Sequence, residues 1–496
     1  MDLDALNTFL LVGALVLVAA VVAVRASVRF GLPSLVFYLL IGVLLGEAVL
    51  GIQFDDAQLA HALGFGALAI ILAEGGLTTR WADVRPTFVI GLTLATLGVG
   101  VTTAVVAVLG HYLLGMDWQL AVLLGAVFAP TDAAAVFSTL RRVPLHRRPA
   151  TTLEVESGLN DAPTVVLVTV VSAGEVATHG VGMVALDIVY ELVAGAVLGL
   201  AVGWAGAAVL RRTALPASGL YPLVVMTLAV LAYAAGAGVG ASGFAAVYVA
   251  ALVLGNSQLP HRAATRSFAE GLAWLAQIGL FVMLGLLAAP ADMPEAIVPA
   301  LVAGAASILL ARPLAVLLSC LPFRVPIREQ AFLSWAGLRG AIPVVLATIP
   351  LADQLDDAGR LFAIVFVVAI VFTTLQAPTL PWAARVLGVG DGGPRDAEVE
   401  SAPLERVAAD LIQLRVPAGS RLHGVEVGEL RLPHGVAVSL IVRSGESFVP
   451  ELRTRLRIGD EVLIVSPRAL RLATERRLRA VGKRGRLAGW FDADDE

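Results

Sequence analysis

Long apolar runs separated by short polar segments fill residues 1–390 of the chain. Runs of about 20 apolar residues are long enough to cross a bilayer as helices. About 13 such segments recur, at residues 6–26, 33–50, 62–79, 86–110, 118–140, 152–173, 183–210, 219–237, 241–256, 267–289, 295–321, 328–351 and 360–388. The pattern predicts an all-α polytopic membrane protein over residues 1–390.

The pattern of apolar and polar positions changes after Gly388. Residues 391–402 are rich in Gly, Pro and acidic residues, which is typical of a linker, and residues 486–496 form an acidic tail. Between them, residues 403–485 predict a small α+β domain, near the minimum size for one core. Its strands are expected at 410–416, 436–442 and 461–465, and its helices at 422–430 and 468–481.

Arginines crowd into alternate loops of the membrane region, and acids occupy the loops between them. The arginine-rich loops hold Arg25 and Arg29, Arg80 and Arg85, Arg141 to Arg148, Arg211 and Arg212, Arg262 and Arg266, Arg324 and Arg328, and Arg385. The positive-inside rule places these loops in the cytoplasm. We therefore expect a multi-pass protein of the cell (inner) membrane, with its N-terminus outside and its C-terminal domain cytoplasmic.

Composition narrows the classes of function. The net charge of −4 and the lack of a basic stripe exclude a nucleic-acid footprint. Cys320 is the only cysteine, so the chain has no intrachain disulfide and no cysteine metal cluster. No motif for a nucleotide or other cofactor accompanies the C-terminal domain, although a small ligand could bind there without a readable motif. We expect a transporter that uses no cofactor, not an enzyme.

The most informative polar cluster lies in the sixth apolar segment, in the run Glu154–Asp161. A carboxylate at bilayer depth costs about 2.5–3.5 kcal/mol on insertion scales. Intramembrane ionisable residues therefore mark ion or proton sites by default. Asp161, which directly precedes a long apolar stretch, is the first candidate for an ion-binding carboxylate.

Spacing along this helix separates two roles. Ser157 and Asp161 are four residues apart and share one face, while Glu156 and Asn160 share another. Arg339 is the only basic residue well inside the twelfth segment, and a buried arginine needs a partner. We expect Glu156 to pair with Arg339, which leaves Asp161 to carry cation or proton.

Helix breakers interrupt the fifth and twelfth segments, which lie seven apart. Pro130 precedes Thr131 in the fifth segment, and Gly337, Gly340 and Pro343 occupy the twelfth. Broken helices at corresponding positions of two inverted repeats mark the binding site in transporters. We therefore expect inverted repeats, with unwound backbone next to the ion site.

The polar groups of these segments suit a hard monovalent cation, which prefers oxygen ligands. We expect a cation site at Asp161, Glu74, Thr131 and Ser157. A proton and a cation would compete for one negative charge, and that competition is sufficient for antiport. Asp132 is equally compatible with a helix cap and with a ligand.

Two other classes of function compete with the antiporter. One is a cation channel gated by the cytoplasmic domain, although no repeated carbonyl filter is visible. The other is an intramembrane aspartyl protease using Asp132 and Asp161. Such enzymes carry a Gly-x-Gly-Asp element, and residues 158–161 miss it at the third position.

Four motifs, in order, resemble those of the NhaP-type monovalent cation/proton antiporters. They are Glu74–Leu77, Thr131–Phe137, Glu154–Asp161 and Gly337–Ala341. Residues 411–465 resemble a TrkA-C (RCK C-terminal) domain, a pairing similar to the bacterial potassium/proton branch. The resemblance implies exchange of K⁺ or Na⁺ for H⁺ by a homodimer in membrane lipid, with a six-helix core and a separate interface domain.

The resemblance also implies roles for single residues. It implies that Asp161 binds the ion and that Asn160 marks the electroneutral subgroup. It further implies a Glu156–Arg339 pair and cation contacts from the three residues Glu74, Thr131 and Ser157.

Overall fold

Two compact units make up the computed structural model, Met1–Gly392 and Gly393–Glu496. The residues that the structure describes are 3–30, 32–47, 50–52, 54–131, 145–288, 293–390, 409–416, 420–443, 445–467 and 470–484. The predicted linker and the acidic tail lie outside these ranges, so their boundaries stay predictions.

The first unit is built from α-helices. In chain order they are α1 Leu3–Phe30, α2 Ser34–Leu45, α3 Ala57–Thr78, α4 Trp81–Val84, α5 Phe88–Thr93, α6 Val99–Leu114, α7 Trp118–Val127, α8 Arg147–Ser172, α9 Glu175–Arg212, α10 Leu220–Gly238, α11 Gly243–Asn256, α12 Arg262–Leu287, α13 Met293–Ala306, α14 Arg312–Cys320, α15 Ile327–Trp335, α16 Ala341–Leu346, α17 Thr348–Ala352, α18 Ala358–Gln376 and α19 Leu380–Val386. Short 3₁₀ turns at Arg85–Thr87, Leu321–Phe323 and Ala377–Thr379 join several of them.

The expected helical membrane protein is confirmed. Within the described residues, 8 helical segments are long and apolar enough to cross a membrane, and four shorter apolar helices accompany them. The α8 helix falls outside both groups because its N-terminal half carries charged and polar residues. The count of 13 spans stays a prediction.

Two matching irregularities support the expected repeats. A π-helical turn lies at Leu94–Gly98 in the fourth predicted segment, and another lies at Ser307–Ala311 in the eleventh. Each of these turns packs against the helix that follows the other: Leu94–Gly98 contacts α14, and Ser307–Ala311 contacts α6. Segments seven apart therefore share π turns as well as helix breakers, as two related repeats would; the inverted sense of the repeats stays a prediction.

Small residues allow close contacts between helices in this unit. Gly195, Gly199 and Gly203 follow one another at four-residue spacing on α9 and face the backbone of α11. A Cβ added at Gly199 would lie only 2.3 Å from the carbonyl oxygen of Ala246. Backbones that approach this closely gain packing where no hydrophobic driving force exists between lipid-immersed helices.

The second unit contains a four-stranded antiparallel sheet with the strand order β1-β4-β2-β3. Its strands are β1 Ala409–Arg415, β2 Ala437–Arg443, β3 Glu446–Phe448 and β4 Glu461–Pro467. One helix, α20, spans residues Arg471–Arg484. The apolar faces of these elements enclose one core that includes Ile441, Ile464 and Val481. The α+β class is confirmed.

Two local expectations for this unit were wrong. The segment 422–430 forms turns and one short 3₁₀ helix, Val427–Leu430, because its polar residues cap and bend the chain: the side chains of Glu426 and Glu429 form a capping box. Strand β3 was not expected, since only three residues pair there after the turn at Gly445.

Asp460 is the buried charge that anchors this unit. Its carboxylate accepts two hydrogen bonds from Arg443, both of 2.8 Å, and one from the Arg457 amide at 2.7 Å. Burial alone would raise the pKa of Asp460, but these donors outweigh it and hold the pKa below its usual range. The ionised form is therefore the one that stabilises the fold.

We expect Asp460→Asn to destabilise this unit by about 1–3 kcal/mol, the cost of losing charge-assisted hydrogen bonds to a buried group. Because the folded pKa is depressed, the wild-type contribution is complete above the unfolded pKa of about 3.9 and is lost as pH falls through the folded value. Amide hydrogen exchange of β4 in the full chain measures both effects. Equal protection in wild type and variant at neutral pH would contradict the prediction.

Candidate functional site

Helix α8 presents two chemically different faces. Ser157 and Asp161 line a cavity, whereas Glu156, on the other face, is buried against a different neighbour. Asp161 is 3% exposed and Glu156 is 1% exposed. The two faces of the helix thus have the expected separate surroundings, a cavity on one side and a buried salt bridge on the other.

The cavity has a volume of about 400 Å³ and brings together polar groups from four elements. Its lining residues are Ile71, Leu72, Glu74, Gly75, Thr78, Thr79, Thr131, Glu154, Ser157, Gly158, Asp161, Tyr248 and Ile342. All four residues expected to contact a cation, Glu74, Thr131, Ser157 and Asp161, are among them. At one end the cavity reaches Thr79, which adjoins Arg80 in an arginine-rich loop.

A hydrogen-bonded cluster holds the hydroxyls of this site. Asn160 Nδ2 donates to Thr131 Oγ1 at 3.1 Å, and the Thr131 and Ser157 hydroxyls are 3.2 Å apart. Asn160 itself does not line the cavity. The Asn160 amide therefore orients Thr131. The Thr131 hydroxyl contacts two side chains of α8, those of Asn160 and Ser157. A direct role of Asn160 in ion binding stays a prediction.

The two expected helix breaks lie against each other. Helix α7 ends at Val127, before Pro130, and the twelfth segment is unwound between α15 and α16 at residues 336–340. Arg339, in the second break, donates from Nε to the Phe128 carbonyl oxygen beyond the end of α7 at 2.6 Å. Thr373 of α18 donates to the Arg339 carbonyl oxygen at 2.9 Å. Side chains thus satisfy backbone groups that the breaks set free.

The expected pairing of Glu156 with Arg339 is wrong, because a different arginine holds Glu156. Glu156 pairs with Arg312 of α14, which donates from both η nitrogens to the two carboxylate oxygens, one of these contacts being 2.9 Å long. Arg312 also donates to the Leu333 carbonyl oxygen at 3.2 Å and lies against Gly337, where an added Cβ would be 2.6 Å from its Nε. Arg312 therefore joins α8 to the broken twelfth segment.

Arg339 has a different environment. It interacts electrostatically with both Glu156 and Arg312. Within the described part of the chain, its two η nitrogens are buried and make no hydrogen bond. The arginine that reaches Glu156 is therefore Arg312 of the eleventh segment, and not Arg339 of the twelfth. Residue spacing along the chain does not reveal which of the two segments lies within reach.

The outcome for the remaining residues is mixed. Asp132 lies outside the described residues, so its role as cap or ligand stays a prediction. Sequence reasoning missed Glu154, Thr79 and Tyr248, which all line the cavity. Glu154 could have been found, because it precedes Ser157 by three and Asp161 by seven residues and so shares their face. Tyr248 comes from α11, and no spacing signal connects it with the site.

A model of the transmembrane sodium/hydrogen exchanger family matches residues 15–386. The chain belongs to this family. The match covers every membrane element that forms the cavity, and a TrkA-C domain model matches residues 411–478 of the second unit. The NhaP-type resemblance of the four motifs and the TrkA-C resemblance are both confirmed.

Individual relatives agree with this assignment. The chain is 36% identical over 474 residues to the K(+)/H(+) antiporter NhaP2 of Shewanella oneidensis, covering 94% of this chain and 82% of that protein. It is 35% identical over 479 residues to the K(+)/H(+) antiporter NhaP of Alkalimonas amylolytica, covering 93% and 82%.

The fold also has a solved counterpart. The sodium proton antiporter MjNhaP1 of Methanocaldococcus jannaschii superimposes with a TM-score of 0.65 over 76% of this chain and 100% of that one, at 22% identity. This likeness establishes the fold of the membrane unit.

Proposed function

We propose that the chain is a secondary antiporter that exchanges a monovalent cation for H⁺ across the cell (inner) membrane. The observation that carries the proposal is the cavity in which Asp161, Ser157, Thr131 and Glu74 converge. Relatives that align over nearly the whole chain are K(+)/H(+) antiporters. We propose K⁺ as the physiological cation and Na⁺ as the alternative.

The chemistry follows from the ligands of the cavity. Carboxylate, hydroxyl and carbonyl oxygens suit a hard cation that gives up part of its water shell. When Asp161 holds either a cation or a proton, the buried site carries no net charge from this group, whereas an empty carboxylate at bilayer depth is costly. Only loaded forms then cross, and exchange of one charge for one charge is electroneutral.

The cavity supports an orientation as well. It reaches the end of α3 that adjoins Arg80, and its first lining residue on α8 is Glu154, in the half of that helix that begins at Arg147. By the positive-inside rule this end faces the cytoplasm. Asp161 is then accessible from inside in this conformation, with the N-terminus outside and the TrkA-C unit cytoplasmic. A homodimer remains a proposal from the family.

The decisive experiment uses proteoliposomes that contain a trapped pH dye. A proton gradient that is acidic inside should dissipate when KCl or NaCl is added outside, because entering cations exchange for lumenal protons, and it should persist with choline chloride. The expected exchange is unaffected when a K⁺ ionophore clamps the membrane potential, because the cycle moves no net charge. Cation flux that needs no counter-moving proton would identify a channel instead. Absence of cation-dependent proton movement would refute the antiporter.

A further inference from the structure

Glu154 is a second carboxylate on the cavity-facing side of α8. It precedes Asp161 by seven residues, which is two turns, so the two groups share a face and lie about 10 Å apart along the axis. Both line the same cavity. Glu154 lies at the end next to the arginine-rich loop, and Asp161 lies deeper.

Among the described residues, no basic group pairs with Glu154, in contrast to the acids beside it. Glu156, two residues later, is held by Arg312, and Asp83 pairs with Arg147 and, at 3.6 Å, with Arg80. None of the ion pairs among the described residues includes Glu154. When this half-buried carboxylate is ionised, no basic side chain among the described residues competes with a cation for its charge.

The Thr79 hydroxyl beside Glu154 has one proton and three neighbouring oxygens, those of Gly75, Glu154 and Tyr248. Thr79 Oγ1 lies 2.8 Å from the Gly75 carbonyl oxygen and 3.1 Å from Glu154 Oε1. When the proton points at the carbonyl, the hydroxyl and carboxylate oxygens face each other with lone pairs only. That arrangement supplies two oxygen ligands, one charged and one neutral, to a cation in the cavity.

Tyr248 occupies the interval between the two carboxylates. A Cβ added at Gly158 would lie 2.5 Å from Tyr248 Oη, so the phenol covers the stretch of α8 between Glu154 and Asp161. The ring is buried, and the hydroxyl interacts electrostatically with both acids. Its oxygen can accept a cation that has left the first acid and not yet reached the second.

We infer that Glu154 and Thr79 form an entry station for the monovalent cation, from which it passes beneath Tyr248 to Asp161. The inference rests on the proposed antiport and adds a second binding site to it. The station raises the local cation concentration next to Asp161, and the transported charge itself is still carried by Asp161. Loss of Glu154 should therefore weaken apparent affinity more than maximal rate.

The test is Glu154→Gln in the full chain, assayed in proteoliposomes over a range of KCl and NaCl concentrations. We expect KM to rise about tenfold, the size of one lost charge-assisted contact, while the rate at saturating cation stays close to wild type. Asp83→Asn is the matched control: it removes a carboxylate at the same end of the bundle but outside the cavity, and KM should not change.

A second readout separates this inference from the antiport itself. In Asp161→Asn, KCl should still raise the thermal unfolding midpoint above that in choline chloride, and Glu154→Gln in the same background should abolish the difference. An unchanged KM in Glu154→Gln, a fall in maximal rate without a change in KM, or an equal KM rise in Asp83→Asn would each overturn the entry station. If the wild-type protein showed no cation/proton exchange, the proposed function itself would be overturned.

Discussion

Asp161→Asn should reduce cation-dependent proton movement to the level of protein-free liposomes. Asparagine has nearly the same shape and can still hydrogen-bond, so the helix keeps its packing. It cannot bind a proton reversibly or offer a negative charge to a cation, so neither half of the exchange cycle has a carrier. The measurement is the rate of pH-dye response to added KCl or NaCl at equal amounts of reconstituted protein.

Two comparisons make this result specific. Asp187→Asn, an exposed acid of α9 outside the cavity, makes the same chemical change and should exchange at the wild-type rate. The thermal unfolding midpoint of Asp161→Asn in detergent should not fall below that of wild type, because the substitution removes a buried charge. Exchange retained by Asp161→Asn would refute the assignment of the carrier.

Arg312→Ala should destabilise the membrane unit strongly. Removing one partner of a buried ion pair costs about 3–5 kcal/mol, because the remaining carboxylate is left buried without compensation. The same change frees the Leu333 carbonyl oxygen and leaves space beside Gly337. We expect a large drop in the detergent unfolding midpoint and in the yield of folded protein.

A double-mutant cycle identifies the arginine that holds Glu156. Glu156→Gln combined with Arg312→Gln should be milder than Arg312→Gln alone, because the pair is then neutral on both sides and can still hydrogen-bond. Glu156→Gln combined with Arg339→Gln is the matched control and should show a much smaller coupling, because Arg339 interacts with Glu156 without a salt bridge among the described residues. A coupling found with Arg339 and absent with Arg312 would show that Glu156 is held by the other arginine.

Arg312 has a larger structural role than an ordinary buried arginine because it contacts two elements of the site. It bonds Glu156 on the helix that carries Asp161 and also the end of α15, where the twelfth segment unwinds. One guanidinium therefore fixes the helix that carries Asp161 relative to a helix break. Arg339 performs a related task at the other break, through the Phe128 carbonyl oxygen.

The membrane class, the central carboxylate and much of its surroundings could be predicted from the order of residues alone. The length of an apolar run shows whether a helix can cross the bilayer. A helix places successive residues at fixed angles, so Ser157 and Asp161 were assigned correctly to one face. Pro130 and the glycines of the twelfth segment marked the breaks because their effect on the backbone is local. Three of the four described strands of the second unit followed from alternation for the same reason.

Which distant groups meet depends instead on how the helices pack. Arg339 was the expected partner of Glu156, and the actual pairing with Arg312 depends on how α14 is placed relative to α8, which no spacing within either helix encodes. Tyr248 reaches the cavity because Gly158 lets α11 approach closely, again a contact between segments far apart in the chain. Periodicity fixes the face of a single helix, whereas side-chain packing between helices fixes its partners.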